Sequence, residues 1–141
     1  MCGKIVLADG DESVRRMVAR VLESFGYEVL TATTAVEALT VCEQAGPDLL
    51  LADLELLAEP AKKTTDILGR QRPRIPILVM DAWANQARNP SEQQAFDAWV
   101  EKPLDLPNLI RIVQNLLQGR HDTTGNSPEE APSLHYLLKT A

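Results

Sequence analysis

Short, continuous apolar runs alternate along this chain with segments whose apolar residues recur at helical spacing. Lys4–Ala8 (KIVLA) is apolar after its first residue and stops at Asp9-Gly10-Asp11. A run of that kind has no solvent face, so it reads as a strand buried on both sides of a sheet. Val14, Met17, Val18, Val21, Leu22 and Phe25 then fall at i, i+3, i+4, i+7, i+8 and i+11. They form one face of a helix, and Gly26 is placed to close it in the left-handed conformation. Tyr27–Thr31 is expected as a second strand. Thr34 and Glu37 have the spacing of a capping box, ahead of a second helical stripe of Ala35, Ala38, Leu39 and Cys42 that Gly46-Pro47 ends. On that stripe Cys42 reads as a core thiol.

Three further apolar runs follow: Asp48–Asp53 (DLLLAD), Ile77–Asp81 (ILVMD) and Ala98–Glu101 (AWVE). The pattern over 54–72 is weaker, with a helix expected from about Pro60 to Leu68 and a turn at Pro73–Pro76. A polar helix is expected at Ser91–Phe96. Asp105 is placed to cap a last helix that turns Leu109, Ile110, Val113, Leu116 and Leu117 inward. Five strands alternating with five helices predict an α/β fold, a doubly wound parallel sheet covered on both faces. In such sheets ligands bind outside the carboxyl ends of the strands.

Composition narrows the function classes. Hydrophobic residues make up 45% and charged residues 24% of the 141 positions, a folded composition. The net charge of −6 offers no basic stripe to neutralise phosphates, so nucleic-acid binding by this chain is not expected. Cys2 and Cys42 are too few for a disulfide framework. No run approaches the length of a membrane span, and no secretory leader pattern opens the sequence. A cytoplasmic location is expected. From Gly119 the composition turns polar and proline-containing, so residues 1–118 are expected as the folded domain and 119–141 as a linker and tail. Within that tail, Ser133–Thr140 has the leucines of a short helix that needs a docking surface, on this chain, on a partner or on a second copy in a homodimer. His121 and His135 lack ligand partners at metal spacing. Trp83 falls in the loop after the fourth strand, beside the site.

Asp9, Asp11, Asp53, Asp81 and Lys102 all fall at the carboxyl edge of the expected sheet. Single strand-end acids cap helices and form turns, and that reading suits Asp11. A convergent set repels itself unless a cation or a chemical task compensates. Hard divalent metals take oxygen ligands of this type, and a lysine facing an aspartate suits a phosphoryl oxygen.

These residues carry a family resemblance. KIVLADGDESVR (Lys4–Arg15), LLLAD (Leu49–Asp53), PILVMDA (Pro76–Ala82) and WVEKP (Trp99–Pro103) resemble, in order and spacing, the receiver domain of two-component response regulators. The resemblance covers Lys4 to about Gln118. It implies a flavodoxin-like sheet of order 2-1-3-4-5 and a phosphoryl group accepted on Asp53 from a histidine kinase or phosphotransfer protein, with a downstream protein partner reading the result. It implies Mg2+ as cofactor, held by Asp9, Asp53, the Glu55 backbone carbonyl and, weakly, Asp11. It makes Lys102 the lysine of the site, before a proline that the family holds cis, and Trp99 the switching aromatic.

The sequence departs from the family pattern at three places. Gly10 stands where the second metal-binding acid belongs. Asp81 stands at the Ser/Thr switch position. Leu56-Leu57 and Ala61 replace the Met-Pro and Gly that follow the phosphoacceptor. An ionised Asp81 cannot donate a hydrogen bond and is expected to pair with Lys102. Two other readings follow. One is a pseudo-receiver that binds proteins without being phosphorylated. The other is a phosphatase, since Asp9-Gly10-Asp11 also resembles the D-x-D motif of haloacid-dehalogenase-type enzymes; the downstream acidic pair of that family is missing, and an enzyme is not expected.

Overall fold

The computed structural model describes residues 3–57, 75–81 and 96–121. The elements in chain order are β1 (Lys4–Ala8), α1 (Glu12–Ser24), β2 (Glu28–Ala32), α2 (Ala35–Ala45), β3 (Leu49–Asp53), α3 (Leu54–Leu57), β4 (Ile77–Asp81), β5 (Ala98–Glu101) and α4 (Leu106–His121). The five strands form one sheet of order β2-β1-β3-β4-β5, every neighbouring pair parallel. This is the flavodoxin-like order that the family resemblance implies. Three of the five expected helices are present as α1, α2 and α4, and among the described residues there is a fourth, the short α3, that was not expected. The helix expected at Pro60–Leu68, all but the last residue of the one expected at Ser91–Phe96, the first half of the turn at Pro73–Pro76, Trp83 and the tail beyond His121 lie outside the described residues.

The apolar runs are continuous because each strand feeds two cores. Ile5, Leu7, Leu49, Leu51, Leu78, Met80, Ala98 and Val100 face α1 and α4, where Val18, Leu22, Leu109 and Ile112 meet them. Their alternates Val6, Ala8, Leu50, Ala52, Ile77 and Val79 face α2 with Ala38, Cys42 and Phe96. The period of two along a strand divides the same sequence between both layers. Burial raises the Cys42 thiol to about 12, with the charge of Glu43 adding to the shift, so Cys42 stays a neutral core group.

Helix ends follow the sequence signals closely. Asp11 caps α1 by accepting from Ser13 N and Val14 N. At the other end Gly26, at φ 93°, donates to Glu23 O, and Tyr27 N donates to Leu22 O at 3.2 Å. Those two bonds are a Schellman closure. They also correct the expected strand start: the Tyr27 N–H belongs to the helix end, and the ladder begins at Glu28, whose N–H reaches Gly3 O at 2.9 Å. At α2, Thr34 Oγ1 accepts from Glu37 N at 3.1 Å, while Glu37 reaches back one residue further than a standard box, to Thr33 N at 2.6 Å. That bond is the main reason the Glu37 carboxyl sits below the usual range. Thr34→Ala is expected to lower stability by about 1 kcal/mol, read as a fall in the denaturation midpoint with an unchanged slope.

The last helix is longer than expected. Asp105 Oδ1 accepts from Asn108 N at 3.3 Å, as a cap should, but the helix continues through Gly119 to His121. It therefore passes the boundary placed after residue 118. A single glycine costs a helix only about 1 kcal/mol, which the packing of the preceding turns absorbs.

Candidate functional site

The topology gathers the acids and the lysine at one edge. Asp9 follows β1 directly and extends its pairing, its N–H donating to Ala32 O at 3.1 Å. Asp53 closes β3 and Asp81 closes β4. Lys102 follows β5, with its N–H on the Asp81 carbonyl at 3.1 Å. Its peptide bond to Pro103 is cis.

From the end of β5 the Lys102 side chain reaches across β4 and β3. Its Nζ lies 3.1 Å from Asp9 Oδ2 and 3.5 Å from Asp53 Oδ2. One ammonium thus bridges two carboxylates. The ion pair expected between Lys102 and Asp81 is not the one formed. Asp81 lies two residues after Val79, which faces α2, whereas Lys102 lies two after Val100, which faces α1 and α4. Strand alternation sends the two side chains to opposite sides. Asp81 is nevertheless inside, at 3% exposure.

Asp9 is held at every atom that matters. It is 1% exposed. Its Oδ1 accepts from Asp11 N at 2.8 Å, its Oδ2 takes Lys102, and its backbone carbonyl accepts from Arg15 Nη1 at 2.7 Å. The sequence reading passed over Arg15. The signal available was its place one turn into α1, within reach of the loop that carries Asp9. Asp11, expected as a weak metal ligand, spends Oδ1 on the helix cap at 2.8 Å and lies exposed. Gly10 is also exposed, and a Cβ built on it would meet nothing within 4 Å. Glu55 donates its N–H to Asp53 Oδ1 at 3.3 Å.

The electrostatics are a contest between burial and charge. Burial raises the Asp53 carboxyl above its usual value; the Lys102 ammonium pulls it down, Asp9 pushes it up, and the net shift is upward. For Lys102, burial works against the ammonium, but the hydrogen bond to Asp9 and the charges of Asp53 and Asp9 prevail, and its pKa is raised. The sign for Asp53 has a consequence. A carboxyl with a raised folded-state pKa favours folding fully only below its unfolded value near 3.9, and that contribution is lost as pH rises through the folded value. At neutral pH the ionised Asp53 is therefore a burden on stability. Asp53→Asn is expected to melt higher than the parent at pH 7 in chelator, with the gap closing toward pH 4. A lower melting temperature at pH 7 would contradict this balance.

Oxygen donors at the site are hard and anionic. Among the described residues no group of three or more His, Cys, Asp or Glu side chains is arranged to hold a metal ion. Mg2+, however, commonly binds through one or two carboxylates and keeps its waters. Asp9 and Asp53 fit that chemistry, one acid short because position 10 is glycine.

Trp99 lies on the α2 side of the sheet. Its neighbours Ala98 and Val100 point to the α1–α4 core, so the indole points the other way, against the α2-side core. It meets Phe96 edge-on at 5.5 Å. It is half-buried, on the side of the sheet away from the last helix.

Residues 5–114 match the response regulator receiver domain family, and the chain belongs to that family. It is 32% identical over 117 residues to the DNA-binding transcriptional regulator NtrC of Bradyrhizobium sp. (strain RP501 Parasponia), covering 82% of this chain and 24% of that one. It is 23% identical over 120 residues to the polar-differentiation response regulator DivK of Brucella ovis, covering 83% of this chain and 98% of that one. Among solved structures, the chemotaxis response regulator CheY4 of Vibrio cholerae has the same fold, with a TM-score of 0.69, 24% identity, and 82% of this chain and 99% of that one covered. The chain spans about a quarter of the length of NtrC. It is a receiver domain of the two-component type, a signalling module whose family is typically phosphorylated on aspartate and typically binds Mg2+ at its acidic site.

Proposed function

We propose that Asp53 is the phosphoacceptor of this receiver domain, supplied by the phosphohistidine of a histidine kinase or phosphotransfer protein. The observation that carries the proposal is the single ammonium of Lys102 set between Asp53 and the buried Asp9. In the transfer an Asp53 carboxylate oxygen forms a bond to phosphorus as the bond from phosphorus to the imidazole nitrogen breaks, and the imidazole keeps the electron pair. Although raised, the Asp53 carboxyl retains an ionised form to act as nucleophile. Lys102 then faces an oxygen of the acyl phosphate, where a point charge is most useful. Asp9, held by Asp11 N and Lys102, orients that ammonium.

Mg2+, where bound, supplies positive charge to the phosphoryl oxygens, and Asp9, Asp53 and the Glu55 carbonyl are the groups that would hold it. Residues 1–118 act as the receiver and the remainder as an appendage. A cytoplasmic setting, a downstream protein partner and no catalysis beyond the domain's own phosphoryl chemistry complete the reading; among the described residues no helix is long and apolar enough to cross a membrane.

The second reading, a pseudo-receiver, draws support from one place: the buried carboxylate of Asp81 beside the acceptor strand. Beryllofluoride, an analogue of the aspartyl phosphate, separates the two. In the presence of Mg2+ it is expected to move the backbone amide resonances around Asp53, Asp81 and Lys102, and to leave Asp53→Asn unchanged. An unaltered spectrum for the parent would favour the pseudo-receiver.

A further inference from the structure

One edge of the sheet carries an apolar groove. β2 pairs with β1 on one side only, as the end strand of the order. Beyond it lies an open groove of about 530 Å³ lined by Val29, Leu30, Thr31, Val41, Gln44 and Ala45. An edge strand with apolar neighbours is a hazard that folded proteins ordinarily cover.

We propose that this groove is the docking site of the chain's own C-terminal segment Leu134–Leu138 (LHYLL). The path comes first. The last helix delivers the chain beside the start of β2: a Cβ on Gly3 would lie 3.4 Å from Leu117 Cδ1 and 3.7 Å from Tyr27 Cδ1, and Gly3 O accepts from Glu28 N, the first residue of β2. Ala45, at the near end of the groove, is tied to the same corner, its carbonyl accepting from Lys4 Nζ at 3.2 Å. Twelve residues, 122–133, separate His121 from Leu134. A coil of twelve residues can span ~20 Å, more than the ~17 Å length of a five-residue strand.

Chemistry supports the same occupant. Leu134, Tyr136, Leu137 and Leu138 supply apolar side chains for Val29, Leu30 and Val41, and Thr31 and Gln44 offer polar partners for a peptide backbone. Glu28 and Glu43, each next in sequence to a lining residue or one removed from it, are exposed, and the segment carries His135 and is followed at once by Lys139. Tethering places the segment at an effective concentration in the millimolar range, so modest contacts suffice. A second copy of the chain would have to reach the groove without that advantage.

The test uses the full chain with a spin label on Thr140→Cys in a Cys2→Ser background; the buried Cys42 does not react. Amide resonances of Val29, Leu30, Thr31, Val41 and Ala45 are expected to broaden selectively. The effect is expected to vanish in Leu134→Asp/Leu137→Asp/Leu138→Asp, and to be absent when spin-labelled chains without isotope are mixed with isotope-labelled chains without spin label. Sharp groove resonances, or broadening centred on another face, would overturn the proposal. Broadening in the mixed sample would assign the groove to a second copy instead and overturn it equally.

Discussion

Asp81→Thr is expected to raise the amount of phosphoryl group carried by Asp53 at least tenfold at equal donor concentration. Asp81 ends the strand beside the acceptor strand, with Asp53 paired to its preceding residue Met80, and adjacent strands run only ~4.8 Å apart. Its carboxylate is buried. A phosphoryl group brings a charge of about −2. Even with Asp81 directed to the other side of the sheet from Lys102, two unit charges ~8 Å apart repel by roughly 2 kcal/mol at an effective dielectric near 20, and tenfold in an equilibrium needs only about 1.4 kcal/mol. Threonine removes that charge and keeps a polar group at the buried position. Quantified phosphoprotein after incubation with a small acyl phosphate checks it. Equal or lower uptake by Asp81→Thr would mean that repulsion from Asp81 does not limit the site.

Gly10→Asp is expected to tighten Mg2+ binding by an order of magnitude or more. The position is exposed, with open space where its Cβ would stand, so the substitution meets no steric cost. It restores a second acid beside Asp9. One further carboxylate next to a divalent cation contributes on the order of several kcal/mol of attraction at an effective dielectric of about 20, before desolvation reduces it. Calorimetric titration with Mg2+ of parent and variant decides the matter, and equal affinities would refute the role given to Gly10.

Much of this molecule was legible because its strands are buried on both faces. Lys4–Ala8, Ile77–Asp81 and Ala98–Glu101 were bounded to the residue, since apolar runs of that length ending in acids or a lysine have few other uses. β2 was displaced by one position because local hydrophobicity does not show that the Tyr27 N–H is spent on the Leu22 carbonyl. The one-turn α3 had no periodicity to reveal it, as four residues are too few. Asp9, Asp53 and Lys102 were expected together from the rule that sites sit at strand carboxyl ends, and the ammonium lies between the two carboxylates.

Pairing within the site was less accessible. It depends on which side of the sheet each side chain leaves, and that depends on alternation counted from the core. Counting from Val79 and Val100 separates Asp81 from Lys102; counting from Ala98 separates Trp99 from the last helix. Asp11 showed the opposite case. Its simplest reading, a helix cap, is the one the structure displays. Arg15 escaped notice because an arginine six residues from an aspartate has no signature until the helix brings it back onto the Asp9 carbonyl.

The central claim is that Asp53 accepts a phosphoryl group. Intact-mass spectrometry of the full chain after incubation with acetyl phosphate and Mg2+ addresses it directly. The account predicts one added phosphoryl group, localised to the peptide containing Asp53 and absent in Asp53→Asn. An unmodified mass for both the parent and Asp81→Thr, or a phosphoryl group that persists in Asp53→Asn, would contradict it.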